Sequence, residues 1–245
     1  DATATSANAN PNAKFSIVDM AYNPTIPNVL GQVYATNEAA FMAGYLSAGM
    51  SKTGVVGTFG GINIPPVTAF MDGFYYGVAY HNSQKGTDVK VLGWNPDSKD
   101  GLFTGNFESL DDGRAYAQNL YDEGADVVMP VAGPVGLGSS ALAMELGTDA
   151  LKIVGVDADM TQTDSGNAEV YLTSVVKRMD STVKEVIKRA MDGSFEGGLM
   201  VGTVANGGVG IAPYHSFDSV IPAGLKAEVE EIKAGIIAGT VNVGG

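Results

Sequence analysis

Residues Asp126 to Asp159, DVVMPVAGPVGLGSSALAMELGTDALKIVGVDAD, constrain the fold more than any other stretch of this 245-residue chain. They read as strand, glycine turn, helix and strand. Asp126 to Ala132 is an apolar run of strand length. Gly133, Gly136 and Gly138 let the backbone turn tightly and approach a neighbour closely. Ser139 to Leu146 has the composition of a helix, and Ile153 to Val156 is a second buried strand that ends at Asp157 and Asp159. Such a unit belongs in an α/β fold with a parallel sheet. Ligands of open parallel sheets sit outside the carboxyl ends of the strands. The glycine turn and the two aspartates both lie at such ends, so a small-molecule site is expected here.

Two readings of this stretch compete. Gly136-Leu137-Gly138-Ser139-Ser140-Ala141 fits the glycine fingerprint of a dinucleotide fold, with an acid, Asp157 or Asp159, about 20 residues on. Any tight strand-to-helix turn also favours glycine, and a lone fingerprint is weak. Asp157 and Asp159 read equally well as strand-end or turn residues.

The flanking sequence repeats the alternation. Phe15 to Asp19 and Val29 to Tyr34 are strand candidates, and Asn37 to Met50 carries Phe41, Met42, Tyr45, Leu46 and Met50 at helical spacing. Asn37 reads as its N-cap and Glu38 as an acid in its first turn. Val55 to Phe59 is a strand closed by Gly60-Gly61. A helix over Val67 to His81 follows Pro65-Pro66, then a strand over Val89 to Trp94 and an amphipathic helix over Asp111 to Glu123. Past Asp159, a loop leads to a strand at Tyr171 to Val176. The helix over Asp180 to Met191 is expected to turn Val183, Val186, Ile187 and Met191 inward. Lys177 and Arg178 lie between these two. Pro222 opens a last helix that Gly239 ends.

Composition removes several functions. A net charge of −13 opposes nucleic acid and anionic membranes as partners. With no cysteine there is no disulfide, thiol catalysis or cysteine zinc site. No run approaches 18 apolar residues, so no transmembrane helix is expected. His81 and His215 stand alone, and no nucleophile elbow, P-loop or histidine metal motif is present. Acceptors at strand ends without a nucleophile or base indicate binding more than turnover. No catalytic residue, metal ligand or cofactor is assigned.

Several blocks, in order, carry a family resemblance. Residues 37–82, NEAAFMAGYLSAGMSKTGVVGTFGGINIPPVTAFMDGFYYGVAYHN, resemble the signature block of the basic membrane protein family. VAGPVGLGSSALA, IVGVDAD, YLTSVVKRMDSTV and IPAGLKAEVEEIKAGIIAGTVNV resemble its later blocks. These are substrate-binding lipoproteins of ABC transporters, similar to the purine nucleoside receptor. The resemblance implies a periplasmic-binding-protein type I fold, with two α/β lobes, mostly parallel sheets and a ligand cleft between them. Residues 1–84 and 170–197 are expected in one lobe, 85–169 and 198–245 in the other. Glu38, Asp157 and Lys177 are implied to face the ligand, with Gly133 and Gly136 as cleft backbone. A nucleoside is the implied ligand, a permease the implied partner, and a lipid-anchored extracytoplasmic position the implied location. Carboxylates suit ribose hydroxyls, and a lysine supplies donors.

The sequence departs from the family in two places. The family opens with a strand and a Ser-Phe-Asn-containing loop, whereas Asp1 aligns inside a later helix. The first lobe is therefore expected to be incomplete, with an exposed strand edge. Some family members place a base-stacking aromatic after the glycine turn, where this chain has Ser139 and Ser140. A dinucleotide-dependent enzyme using Gly136 to Ala141, and a ligand sensor outside transport, are the alternative readings.

Overall fold

The computed structural model describes residues 1–244. In chain order it contains α1 (Ala2–Ala9), β1 (Phe15–Val18), β2 (Val29–Tyr34), α2 (Thr36–Met50), β3 (Val55–Gly60), α3 (Pro65–Lys85), β4 (Lys90–Leu92), β5 (Trp94–Asn95) and β6 (Asp100–Gly101). There follow α4 (Leu110–Asp122), β7 (Val127–Val131), α5 (Gly136–Leu146), β8 (Lys152–Asp157), α6 (Met160–Thr163) and β9 (Tyr171–Lys177). The chain closes with α7 (Met179–Asp192), β10 (Gly198–Gly202), β11 (Val209–Ile211) and α8 (Ala223–Ile237).

Two sheets divide the molecule into lobes. The smaller has the order β1-β2-β10, all parallel. The larger has the order β11-β9-β8-β7-β3-β4, parallel except for β11. The chain passes between lobes at Tyr34–Thr36, Lys177–Met179 and Gly202–Val209. These sheets correct the lobe boundaries expected from sequence. β3 and β9 lie in the larger sheet rather than with β1 and β2, and β10 lies in the smaller one. Short apolar strands look alike in sequence, and only their hydrogen-bonded neighbours assign them to a sheet.

The larger lobe is a three-layer sandwich. Val127, Met129 and Val131 face one way, with Val56, Val154 and Val156, and pack against α2, α3 and α8. Val128 and Ile153 face the other way, towards α4 and α5. This is the alternation of a strand buried on both sides. Helix α2 is covered on nearly every side, from Ala39 to Ala48, as its small and apolar residues allow. Proline opens α3, and Gly86, at φ 66°, ends it.

The smaller lobe is thin. Strand β1 pairs with β2 alone among the described residues, leaving its outer edge open. Leu199 and Val201 of β10 are exposed. Helix α7 keeps its expected period, but only Thr182 and Val186 are buried. Val183, Ile187 and Met191, expected inward, are exposed. A three-stranded sheet is too narrow a bed to cover the whole apolar stripe.

Candidate functional site

Strands β3, β7, β8 and β9 end side by side, and these carboxyl ends face the smaller lobe. A cleft of about 330 Å³ lies there, lined by Asp19, Ile64, Pro66, Val67, Phe70, Phe107, Val131, Gly133, Pro134, Val156, Asp157 and Lys177. Its polar centre is Lys177. The Nζ donates to Asp19 Oδ2 at 2.7 Å and lies 3.1 Å from Asp157 Oδ1. The lysine side chain is 6% exposed, against 34% for Asp19 and 40% for Asp157. Its ammonium also lies 5.2 Å from the Phe70 ring centroid and 5.9 Å from that of Tyr34. Burial works against the lysine's charge. The carboxylates of Asp157 and Asp19 outweigh it and hold the group charged above its ordinary range.

Both aspartates have left-handed backbone, with φ 59° at Asp19 and 69° at Asp157. That conformation costs a non-glycine residue about 1–2 kcal/mol, and aspartate is among the residues that tolerate it best. At each strand end it turns the chain sharply and brings a carboxylate to the same lysine.

The structure brings Asp157, Lys177 and Gly133 of the expected residues together at this cleft. Gly133 stands at φ 54° just past β7, with open space where a side chain would be. Glu38 and Gly136 do not line this cleft. Glu38 Oε2 accepts the Val204 backbone N–H at 2.6 Å, so the first turn of α2 braces the crossing between β10 and β11. Gly136 is the first residue of α5 and packs against the Pro130 ring.

Most of the lining escaped the sequence reading, Asp19, Phe70 and Phe107 among it. Asp19 had a signal, since it ends an apolar strand just as Asp157 does. Phe107 comes from the loop before α4, and its ring lies over Gly61, where no side chain could fit. Ser139 and Ser140 stand in for no aromatic at the cleft. Ser139 Oγ donates to Gly113 O and Ser140 Oγ to Asp164.

Asp159 lies two residues from Asp157 in a separate network. It caps α6, accepting from the Thr161 N–H at 3.2 Å and from Thr161 Oγ1 at 2.7 Å, and it pairs with His215 Nε2 at 2.9 Å. Burial raises its pKa, but the hydrogen bonds from Thr161 and His215 prevail and hold it below the usual carboxylate range. A wider groove of about 850 Å³ on this side shares Asp157 and Lys177 with the cleft. Its other charges are already matched, Arg178 by Asp180 and Lys233 by Glu230. The cleft, with its aromatic rings and its open glycine, is the better place for a ligand.

The dinucleotide reading meets a packing obstacle. A side-chain carbon on Gly138 would lie 1.8 Å from Leu110 O. This glycine is needed for the contact of α5 with α4, so its close approach is already taken by the chain. Among the described residues there is no group of acids or histidines able to hold a metal, and no helix long and apolar enough to cross a membrane.

Comparison with known proteins agrees with this architecture. The nucleoside-binding ABC transporter protein BmpA of Lactococcus lactis is 31% identical over 244 residues, covering 95% of this chain and 66% of that protein. Basic membrane protein A1 of Borrelia garinii is 30% identical over 233 residues, covering 93% of this chain and 63% of that protein. The chain thus spans just under two thirds of the length of these relatives. A crystal structure of an ABC transporter solute-binding protein from Aeropyrum pernix superposes with a TM-score of 0.84 at 25% identity, over 96% of this chain and 72% of that one. The family described as PnrA-like ABC transporter substrate-binding proteins matches residues 1–241. With that match over nearly its whole length and the two-lobed fold beneath it, the chain belongs to the PnrA-like family of ABC transporter substrate-binding proteins.

Proposed function

We propose that this chain forms the ligand-binding body of an ABC importer's receptor, and that its cleft takes a nucleoside. The observation that carries the reading is the centre at Lys177, where two carboxylates and an ammonium converge between the lobes. Vicinal hydroxyls of a ribose donate to carboxylates, and an ammonium donates to an acceptor on the ligand. Phe70 and Phe107 supply apolar faces against which a base can lie. The L. lactis relative carries nucleoside binding in its name. The cleft holds the ligand and leaves it chemically unchanged. A transporter permease is the partner, and the working place is extracytoplasmic, beside a membrane that a lipid anchor would reach.

Native mass spectrometry tests the class of ligand. The protein is presented with an equimolar mixture of nucleosides, free bases, ribose and NAD. The expected result is one retained nucleoside, with neither the free base nor ribose competing at equal concentration, since each offers half of the contacts. Retention of NAD in place of a nucleoside would overturn the reading and favour the dinucleotide alternative.

A further inference from the structure

The two lobes are joined by three chain crossings, and a hinge of that kind leaves the opening of the cleft to whatever contacts bridge its mouth. Among the described residues, one ion pair joins the two sheets. Asp19 follows β1 of the smaller sheet, and Lys177 ends β9 of the larger one. The pairing of Lys177 with Asp157 stays within the larger sheet. The aromatic cage around the ammonium is also shared, with Tyr34 from β2 and Phe70 from α3. The lysine is therefore surrounded by groups of both lobes and belongs to a segment that passes between them.

We propose that Lys177 is an inter-lobe latch: through Asp19 it ties the end of β1 to the end of β9, and this tie sets how far the cleft opens. The backbone supports the assignment. Asp19 adopts left-handed φ, a conformation that persists only where its surroundings hold it. The turn aims its carboxylate across the cleft at a lysine that is 6% exposed. A surface pair formed by two mobile side chains would show neither the bent backbone nor the buried partner. Asp157 balances the Lys177 charge from within its own lobe, so the lysine does not need Asp19 for charge balance. The pair to Asp19 is thereby free to act on the spacing of the lobes.

The latch goes beyond the binding reading, and its test needs no nucleoside, so either can fail alone. The chain has no cysteine, so two introduced ones label cleanly. Lys188→Cys places a spin label on α7, which Thr182 fastens to Tyr34 of the smaller sheet by a 2.6 Å hydrogen bond. Asp97→Cys places the other on the β5–β6 turn of the larger lobe. Distances are measured by electron–electron resonance in ligand-free protein, with folding checked by circular dichroism. Asp19→Asn keeps the shape and the left-handed backbone while removing the charge. It is expected to lengthen the mean distance by more than about 2 Å, the scale of a domain rearrangement. Asp157→Asn, which leaves the inter-lobe pair intact, is expected to leave the distance unchanged. An unchanged distance in Asp19→Asn would overturn the latch. So would equal lengthening in both variants, which would mark a general loss of charge rather than a specific tie.

Discussion

At the scale of single residues, the strand-end aspartates show what a sequence can and cannot announce. Asp157 was legible because an apolar strand and a glycine turn frame it. Asp19 also ends a short strand but has no glycine turn beside it, and its pairing emerges only when β1 and β9 meet across the cleft. Glu38 shows the converse. Its place in a signature block pointed to a ligand, while Oε2 of its carboxylate accepts the Val204 N–H. A motif specifies a residue's neighbours along the chain, and a hydrogen bond over 166 positions is invisible to it. His81 carries a pH prediction away from the cleft. It is buried on α3, edge-on to Tyr45 with ring centroids 5.0 Å apart, and its Nδ1 lies 3.1 Å from Thr87 Oγ1. Burial and the nearby Lys85 charge push its pKa below the ordinary value, with Glu228 opposing in part. The native state therefore favours the neutral ring. That contribution is complete above the unfolded value of about 6.5, and it is lost as pH falls from there through the folded value. Urea denaturation at a series of pH values should show stability falling with acid below about pH 6.5, and His81→Gln should fall less steeply. Parallel slopes for the two proteins would contradict this.

At the scale of elements, periodicity located the long helices and most strands of the larger sheet, because burial on one or two faces imposes it directly, while β6, α6, β10 and β11, which are short or half-exposed, carried no such signal. What it could not give was how much of an apolar stripe finds a cover. Helix α7 has the clearest stripe in the chain, and most of it is exposed because the sheet beneath is three strands wide. Helix α2 has less amphipathic character and is buried almost throughout, since α3, α8 and the larger sheet surround it. The crossing of α2 with α3 depends on glycine. A side-chain carbon at Gly77 would lie 2.0 Å from Phe41 O, a backbone atom that cannot swing aside. Alanine is better than glycine in a helix by about 0.8–1.0 kcal/mol. Overpacking costs about 1–3 kcal/mol, and more when backbone must move. Here the clash should win, so Gly77→Ala is expected to lower the urea midpoint, with a net loss of about 1–2 kcal/mol. An unchanged or raised midpoint would mean that the helices separate at no cost.

At the scale of the whole molecule, the class of fold was legible in the alternation of strands and helices and in the ordered family blocks. The division into lobes was not. The chain crosses between sheets three times, two of the crossings by a residue or two of ordinary loop composition and the third by the glycine-containing stretch between Gly202 and Val209. The expected boundaries therefore failed at β3, β9 and β10, which are sorted by pairing alone. The crossings still have one consequence that unites the scales. They bring Asp19 from one lobe and Asp157 and Lys177 from the other into a single polar centre. The proposal that this centre binds a nucleoside is tested most directly by calorimetric titration of the retained nucleoside into the parent chain, Asp157→Ala and Asp159→Ala. A charge-assisted hydrogen bond contributes roughly 1.5–3 kcal/mol. Two from a ribose to Asp157 predict a loss of roughly 3–6 kcal/mol in Asp157→Ala, or about 150-fold to 20,000-fold in affinity. Asp159 is held in the α6 cap with Thr161 and His215, so Asp159→Ala should retain affinity within about threefold, a difference of under about 1 kcal/mol. Unchanged affinity in folded Asp157→Ala, or equal losses in both variants, would contradict the account.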